Sequence, residues 1–140
     1  KPVAIVAGRS DALVPVNHAA RAYTAFNSKV EGAANIRYYE IENGNHFDAF
    51  LPNFAGGGVQ GYDVLLVPVH YYFNNAMDLV WARLKNNTPL PQSQVVRAIP
   101  RGGVPGSAPP ITTANVPKIS ATPSAANTIS VGAGVINVPN

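Results

Sequence analysis

Two residues of this sequence are of the right type, and in the right place, to do chemistry together. Asp11 follows the apolar run "VAIVAGRS", and His46 follows "IRYYEIENGN". If both runs are parallel strands and neighbours, they lie about 4.8 Å apart and their loops emerge side by side. In open α/β sheets the working groups sit at the carboxyl ends of strands. A carboxylate bonded to one imidazole nitrogen fixes the tautomer and steadies the imidazolium, so the other nitrogen can take a proton from a hydroxyl. Asp11 and His46 therefore read as the acid and the general base of a Ser-His-Asp triad.

Other candidates are weaker. Gly8-Arg9-Ser10-Asp11-Ala12 half matches a G-x-S-x-G elbow, but Ala12 breaks the pattern and Ser10 would adjoin its own acid. Asp48 is the rival acid; two residues from His46, it reads as the cap of a short turn. His18 opens a helix and reads as solvated, with a place near Asp11 as the alternative. His70 falls in the first turn of another helix and reads as packing or surface. Three histidines and seven acids show no metal-ligand spacing, so no metal and no cofactor is expected. Phe47 and Phe50, with Leu51 and Phe54, are expected to wall a site for a short aliphatic ester. The glycines of the same loop would let it move as a lid, the alternative being a flexible surface loop.

These residues need a scaffold, and the chain of 140 residues is long enough for a real core. Val3 to Ala7 is apolar on both faces, as a central parallel strand would be. Residues 17–29 read as a helix with Asn17 as N-cap and Ala19, Tyr23 and Phe26 on one face. Residues 35–41 read as a second strand, and the charges of Arg37 and Glu40 suggest a sheet edge. A long loop follows, about 43–67, and then a helix over 68–87 starting at Pro68. Its stripe of Val69, Tyr72, Phe73, Ala76, Met77, Val80 and Leu84 reads as core-facing, as does Trp81. Beyond residue 88 proline, glycine and small residues dominate. The chain thus divides into an α/β part, 1–87, and an extended tail, 88–140, whose "NTISVGAGVINVPN" signals a terminal β-hairpin.

Composition removes several classes. There is no cysteine, hence no disulfide, zinc-thiolate site or cysteine nucleophile in these residues. The net charge of +3 is scattered, and Arg101-Gly102-Gly103 occurs without repeats, so no nucleic-acid partner is expected. No polybasic run and no apolar run near the roughly 18 residues of a span points to a membrane. The chain starts at Lys1, and it reads as a piece of something longer.

The strand, acid turn and helix of "KPVAIVAGRSDALVPVNHAARAY" and the strand and histidine loop of "IRYYEIENGNHFDAF" resemble the α/β-hydrolase fold. With "GYDVLLVPVHYYFNNAMD" and "LPQSQVVRAIPRGGVPGSAPPITTANVP", the whole resembles the C-terminal region of hydroxybutyrate-oligomer hydrolases. That resemblance implies the C-terminal portion of an α/β-hydrolase parallel sheet, strand-helix-strand-helix, followed by the proline-rich tail. It implies a secreted bacterial serine esterase, extracellular or periplasmic, that cleaves 3-hydroxybutyrate oligomers to monomers. Asp11 and His46 are the positions that match its triad. Since the nucleophile precedes the acid in α/β-hydrolases, the serine is expected upstream of Lys1. These residues alone are then expected to be inactive, with the N-terminal part of the same protein as partner. Two other readings stand beside this one: a different serine hydrolase, such as a peptidase or aromatic-ester esterase, and a non-catalytic α/β binding module. The last expects the Asp11 and His46 side chains to point apart.

Overall fold

The first apolar run forms a strand, β1 (Val3–Gly8), in a computed structural model that describes residues 1–32, 36–52 and 58–140. It is followed by α1 (Ala20–Val30), β2 (Ile36–Ile41) and a one-turn 3-10 segment at Asp48–Phe50. Then come a short α2 (Tyr62–Leu65), α3 (Val69–Asn86), β3 (Gln94–Val96), and a hairpin of β4 (Ser130–Gly132) and β5 (Val135–Asn137). β1 and β2 pair in parallel from Val3 opposite Ile36 to Gly8 opposite Ile41, as the strand-helix-strand reading requires. The hairpin also forms where expected, turning through Ala133 and Gly134, both at positive φ.

The sheet is three-stranded, β1-β2-β3, and all parallel. Its third strand lies in the proline-rich stretch, where the sequence reading has none. β3 is only three residues long and pairs Tyr39 to Ile41 with Gln94 to Val96. No local period marks so short a strand; it is defined by its neighbours. On its far side β3 is held by residues 127–129 through Val95 N–H to Asn127 O and Ile129 N–H to Ser93 O, both 2.8 Å.

β3 overturns the placement of β2, which is central and not an edge. Glu40 is wholly buried there. The cost of burying a carboxylate is offset because Arg9, Arg21 and Tyr38 all donate to it. β1, read as a central strand of a larger sheet, has no strand on its outer side among the described residues.

Side-chain alternation along the strands builds two cores. On one face Ala4, Val6, Tyr39 and Ile41 meet Tyr72 and Ala76 of α3, with Val116 and Ile119 from the tail. On the other, Ile5, Ala7 and Tyr38 meet Ala20 of α1 and Val131 and Ile136 of the hairpin. The tail from residue 88 onward thus contributes to both.

The helices present other faces than expected. α1 begins at Ala20 without a side-chain cap, because Asn17 accepts a bond from Arg21 instead. It buries the small residues Thr24 and Ser28, while Tyr23 and Phe26 are exposed. The hairpin lies close enough for Gly134 N–H to reach Ser28 Oγ at 3.1 Å, which leaves no room for a ring on that face. α3 buries Tyr72 and Ala76 but exposes Phe73, Met77, Trp81 and Leu84, each by more than half. It packs over β1, a terminal strand, so only part of its apolar surface finds a partner. Among the described residues no helix is long and apolar enough to cross a membrane.

Candidate active site

Two glycines let the strand ends converge. A Cβ on Gly8, the last residue of β1, would come within 2.3 Å of the carbonyl oxygen of Gly44. Gly44 lies in the turn after β2, and its own Cβ would meet Val69 and the Gly8 Cα at 2.8 and 3.0 Å. Only backbone fits between the two loops. Arg9 N–H donates to Ile41 O and Ser10 N–H to Gly44 O, at 2.8 and 2.9 Å, so the chain beyond β1 stays fastened to the end of β2.

Asp11 and His46 meet at this junction. His46 Nδ1 lies 2.7 Å from Asp11 Oδ2. The other oxygen, Oδ1, accepts the N–H groups of Leu13 and Val14 at 2.9 and 2.8 Å, an Asx-type turn that locks the carboxylate plane. Partial burial raises the Asp11 pKa, but the Val14 N–H, the imidazole and the Leu13 N–H outweigh it and hold the carboxyl below its ordinary value. The Asp11 side chain is 9% exposed and that of His46 33%, so the acid is sheltered and the ring can still be reached. With Nδ1 engaged, Nε2 is the nitrogen left to exchange a proton. The two side chains share a hydrogen bond and do not point apart.

Asp48 differs from its expected role. Its two oxygens accept Val69 N–H at 2.7 Å and His70 N–H at 2.9 Å, so it caps α3 from the histidine loop. Proline at 68 masks that start signal, because the capping side chain comes from twenty residues earlier. The Asp48 bond ties the loop that carries His46 to the end of a helix packed on the sheet.

Two clefts touch the imidazole. One, of ≈ 330 Å³, is lined by Val6, His46, Phe47, Asp48, His70 and Phe73. The other, of ≈ 260 Å³, reaches from Gly8 and Asp11 past Asn45 to His46, with Val6 and Val69 common to both. A hollow of ≈ 470 Å³ between α1 and the hairpin touches neither Asp11 nor His46.

Of the expected wall, Phe47 lines the first cleft and stands edge-on to His46 with ring centres 4.3 Å apart, whereas Phe50 stands edge-on to Phe47 at 5.4 Å but lines neither cleft. Leu51 is buried, and Phe54 and the glycines at 56 and 57 lie outside the described residues. His18 is exposed and lines neither cleft. His70 and Phe73 join the wall, one turn apart with rings 5.7 Å from each other, which the core-facing reading of α3 missed. Asn45 was missed too: it is buried beside His46, and among the described residues its Oδ1 has no partner. Among the described residues no cluster of three or more His, Cys, Asp or Glu could hold a metal ion.

The comparisons with known proteins agree on one group. The family model for 3HB-oligomer hydrolases matches residues 1–140. Proteins named D-(-)-3-hydroxybutyrate oligomer hydrolase from Burkholderia lata, Burkholderia mallei and Burkholderia pseudomallei are each 58% identical over 140 residues. Each match covers 99% of this chain and 19% of the relative, so the chain spans about one fifth of their length. No solved structure matches it.

Proposed function

Because the chain belongs to the family of 3HB-oligomer hydrolases, we propose that Asp11 and His46 are the acid and general base of a serine esterase that cleaves 3-hydroxybutyrate oligomers. The single observation that carries this reading is the 2.7 Å bond between His46 Nδ1 and Asp11 Oδ2 at the carboxyl ends of two adjacent parallel strands.

The chemistry follows from that bond. A serine hydroxyl at His46 Nε2 gives up its proton as its oxygen attacks the ester carbonyl. Asp11 steadies the imidazolium that results. The tetrahedral intermediate collapses, the bond to the alcohol oxygen breaks, and His46 returns the proton to that oxygen, freeing the hydroxyl end of the shortened oligomer. Water, deprotonated by His46, then attacks the acyl-enzyme and releases the 3-hydroxyacid with the serine restored. The cleft beside Phe47, Phe73 and Val6 offers an apolar wall to the methyl branches of such a chain, and His70 a polar group at its rim.

The nucleophile and its oxyanion donors belong, in this proposal, to sequence that the relatives have and these 140 residues lack. The outer side of β1, unpaired among the described residues, and the stripe of Phe73, Met77, Trp81 and Leu84 support it. Phe73 lines the same cleft as Val6 of β1, so the stripe continues from the site along α3. A substrate panel on the full-length protein tests the reading. Release of 3-hydroxybutyrate from its linear oligomers is expected, and preference for a peptide or an aromatic ester would defeat it.

A further inference from the structure

Arg9 is the first residue after β1 and stands two residues before Asp11. Its Nε lies 2.5 Å from Glu40 Oε1, and its Nη2 donates to the carbonyl oxygen of Pro139 at 2.9 Å. Glu40 does not need this partner for its charge. Arg21 already grips both its oxygens, Nη2 to Oε1 at 2.6 Å and Nε to Oε2 at 2.7 Å, and the Tyr38 hydroxyl donates to Oε2 at 2.7 Å. One guanidinium neutralises one carboxylate, and a two-pronged grip is the strong form of that pair. The second guanidinium is therefore surplus as a counter-charge. What it adds is direction, by tying the chain that leaves β1 to a buried, immobile group and to the tail 130 residues further on.

The tail is fixed at the same place from a second side. Arg97, just past β3, donates from Nη2 to the Asn140 carbonyl oxygen at 2.5 Å and from Nη1 to Glu42 Oε1 at 3.3 Å. Arg9 and Arg97 stand at the carboxyl ends of β1 and β3, with Glu42 at the end of β2 between them. Residues 139 and 140 are thus held across the end of the sheet from which the Asp11 and His46 loops emerge.

We propose that Arg9 is a positioning residue for ester hydrolysis. Its guanidinium, anchored by Glu40 and the Pro139 carbonyl, sets the orientation in which Asp11 meets His46, so that the segment around residue 139 helps to shape the site. This rests on the reading of Asp11 and His46 as acid and base. An acid turn free to shift by an ångström loses the imidazole geometry, and misplacements of that size cost on the order of a hundredfold in rate.

The test uses full-length protein carrying Arg9→Gln, Arg9→Lys, or a deletion of residues 139 and 140, each also combined with Asp11→Asn. Arg9→Gln and the deletion of residues 139 and 140 are expected to lower kcat by about tenfold or more while KM stays within about twofold. Arg9→Lys keeps the charge without the fork and is expected to recover part of the loss. In the Asp11→Asn background the same changes should cost little further, because Arg9 acts through Asp11. Folded variants with kcat within about twofold of the parent overturn the proposal, as does a loss of equal size with and without Asp11. Should Arg9→Gln fail to fold, Arg9→Lys and the deletion of residues 139 and 140 decide by the same criteria. Near-normal turnover in Asp11→Asn alone refutes the acid reading itself, an outcome distinct from failure of the Arg9 variants beside an inactive Asp11→Asn.

Discussion

Asp11 reaches His46 with one oxygen and holds its own turn with the other. Oδ2 meets Nδ1 at 2.7 Å, while Oδ1 takes the N–H groups of Leu13 and Val14. The carboxylate cannot rotate to follow the ring, so the ring must take its orientation from the acid. In the full-length protein Asp11→Asn should keep the fold but, on the proposed mechanism, lower turnover by about four orders of magnitude, as a histidine in the wrong tautomer does. Steady-state kinetics beside a thermal melt checks both halves.

Asp48→Ala should act differently. It removes both bonds to the start of α3, and loss of such a cap costs about 0.5–2 kcal/mol. A lower Tm with a smaller loss of kcat than Asp11→Asn is expected. A collapse of kcat at unchanged Tm would instead make Asp48 the working acid.

Gly44→Ala should fail for lack of space. The added methyl meets Val69 at 2.8 Å and the Gly8 backbone at 3.0 Å, and the backbone cannot yield without parting β1 from the turn after β2. Poor soluble yield, or a folded protein with its acid and histidine separated and turnover lost, is the outcome; expression and activity assays read both.

Acid should weaken the fold partly through Glu40. Burial raises the Glu40 pKa, but hydrogen bonds from Arg21, Tyr38 and Arg9 more than compensate and hold it below the ordinary 4.5. A depressed carboxyl stabilises the folded state above its unfolded pKa, and that contribution is lost as pH falls through the folded one. Near neutrality Glu40→Gln should destabilise by about 3 kcal/mol or more, since two guanidinium groups lose their buried partner. The gap between wild type and variant should close as pH drops below the ordinary 4.5 and on through the lowered folded value. Urea melts of full-length protein at several pH values measure it, and a gap constant with pH would exclude the ionised form as the stabilising one.

The exposed stripe on α3 makes a prediction about assembly. Residues 1–140 expressed alone should self-associate through Phe73, Met77, Trp81 and the outer side of β1, which no strand covers among the described residues. Light scattering that finds a monomer with slowly exchanging β1 amides would contradict this. In the full-length protein Trp81→Glu should lower Tm, since the stripe is then covered.

The sequence by itself determined the elements whose signal is local. An apolar run with glycine after it, a helix begun by proline at 68, and two β-prone runs about a glycine turn all depend on neighbours within a few residues. Placing Asp11 and His46 just past two strands joined by one helix was enough to expect their encounter. Tertiary structure decided what depends on distant partners. Glu40 marks a sheet edge by type, yet it lies in the central strand because Arg21, 19 residues away, neutralises it, and Arg9 and Tyr38 donate to it as well. β3 is too short to carry a period and exists because β2 offers it a ladder. Periodicity shows that a helix has an apolar stripe; it does not show what lies opposite. Hence the faces of α1 and α3 were misjudged, Thr24 and Ser28 being buried where Tyr23 and Phe26 were expected. Contact with a neighbouring element, and not hydrophobicity alone, selects the buried face.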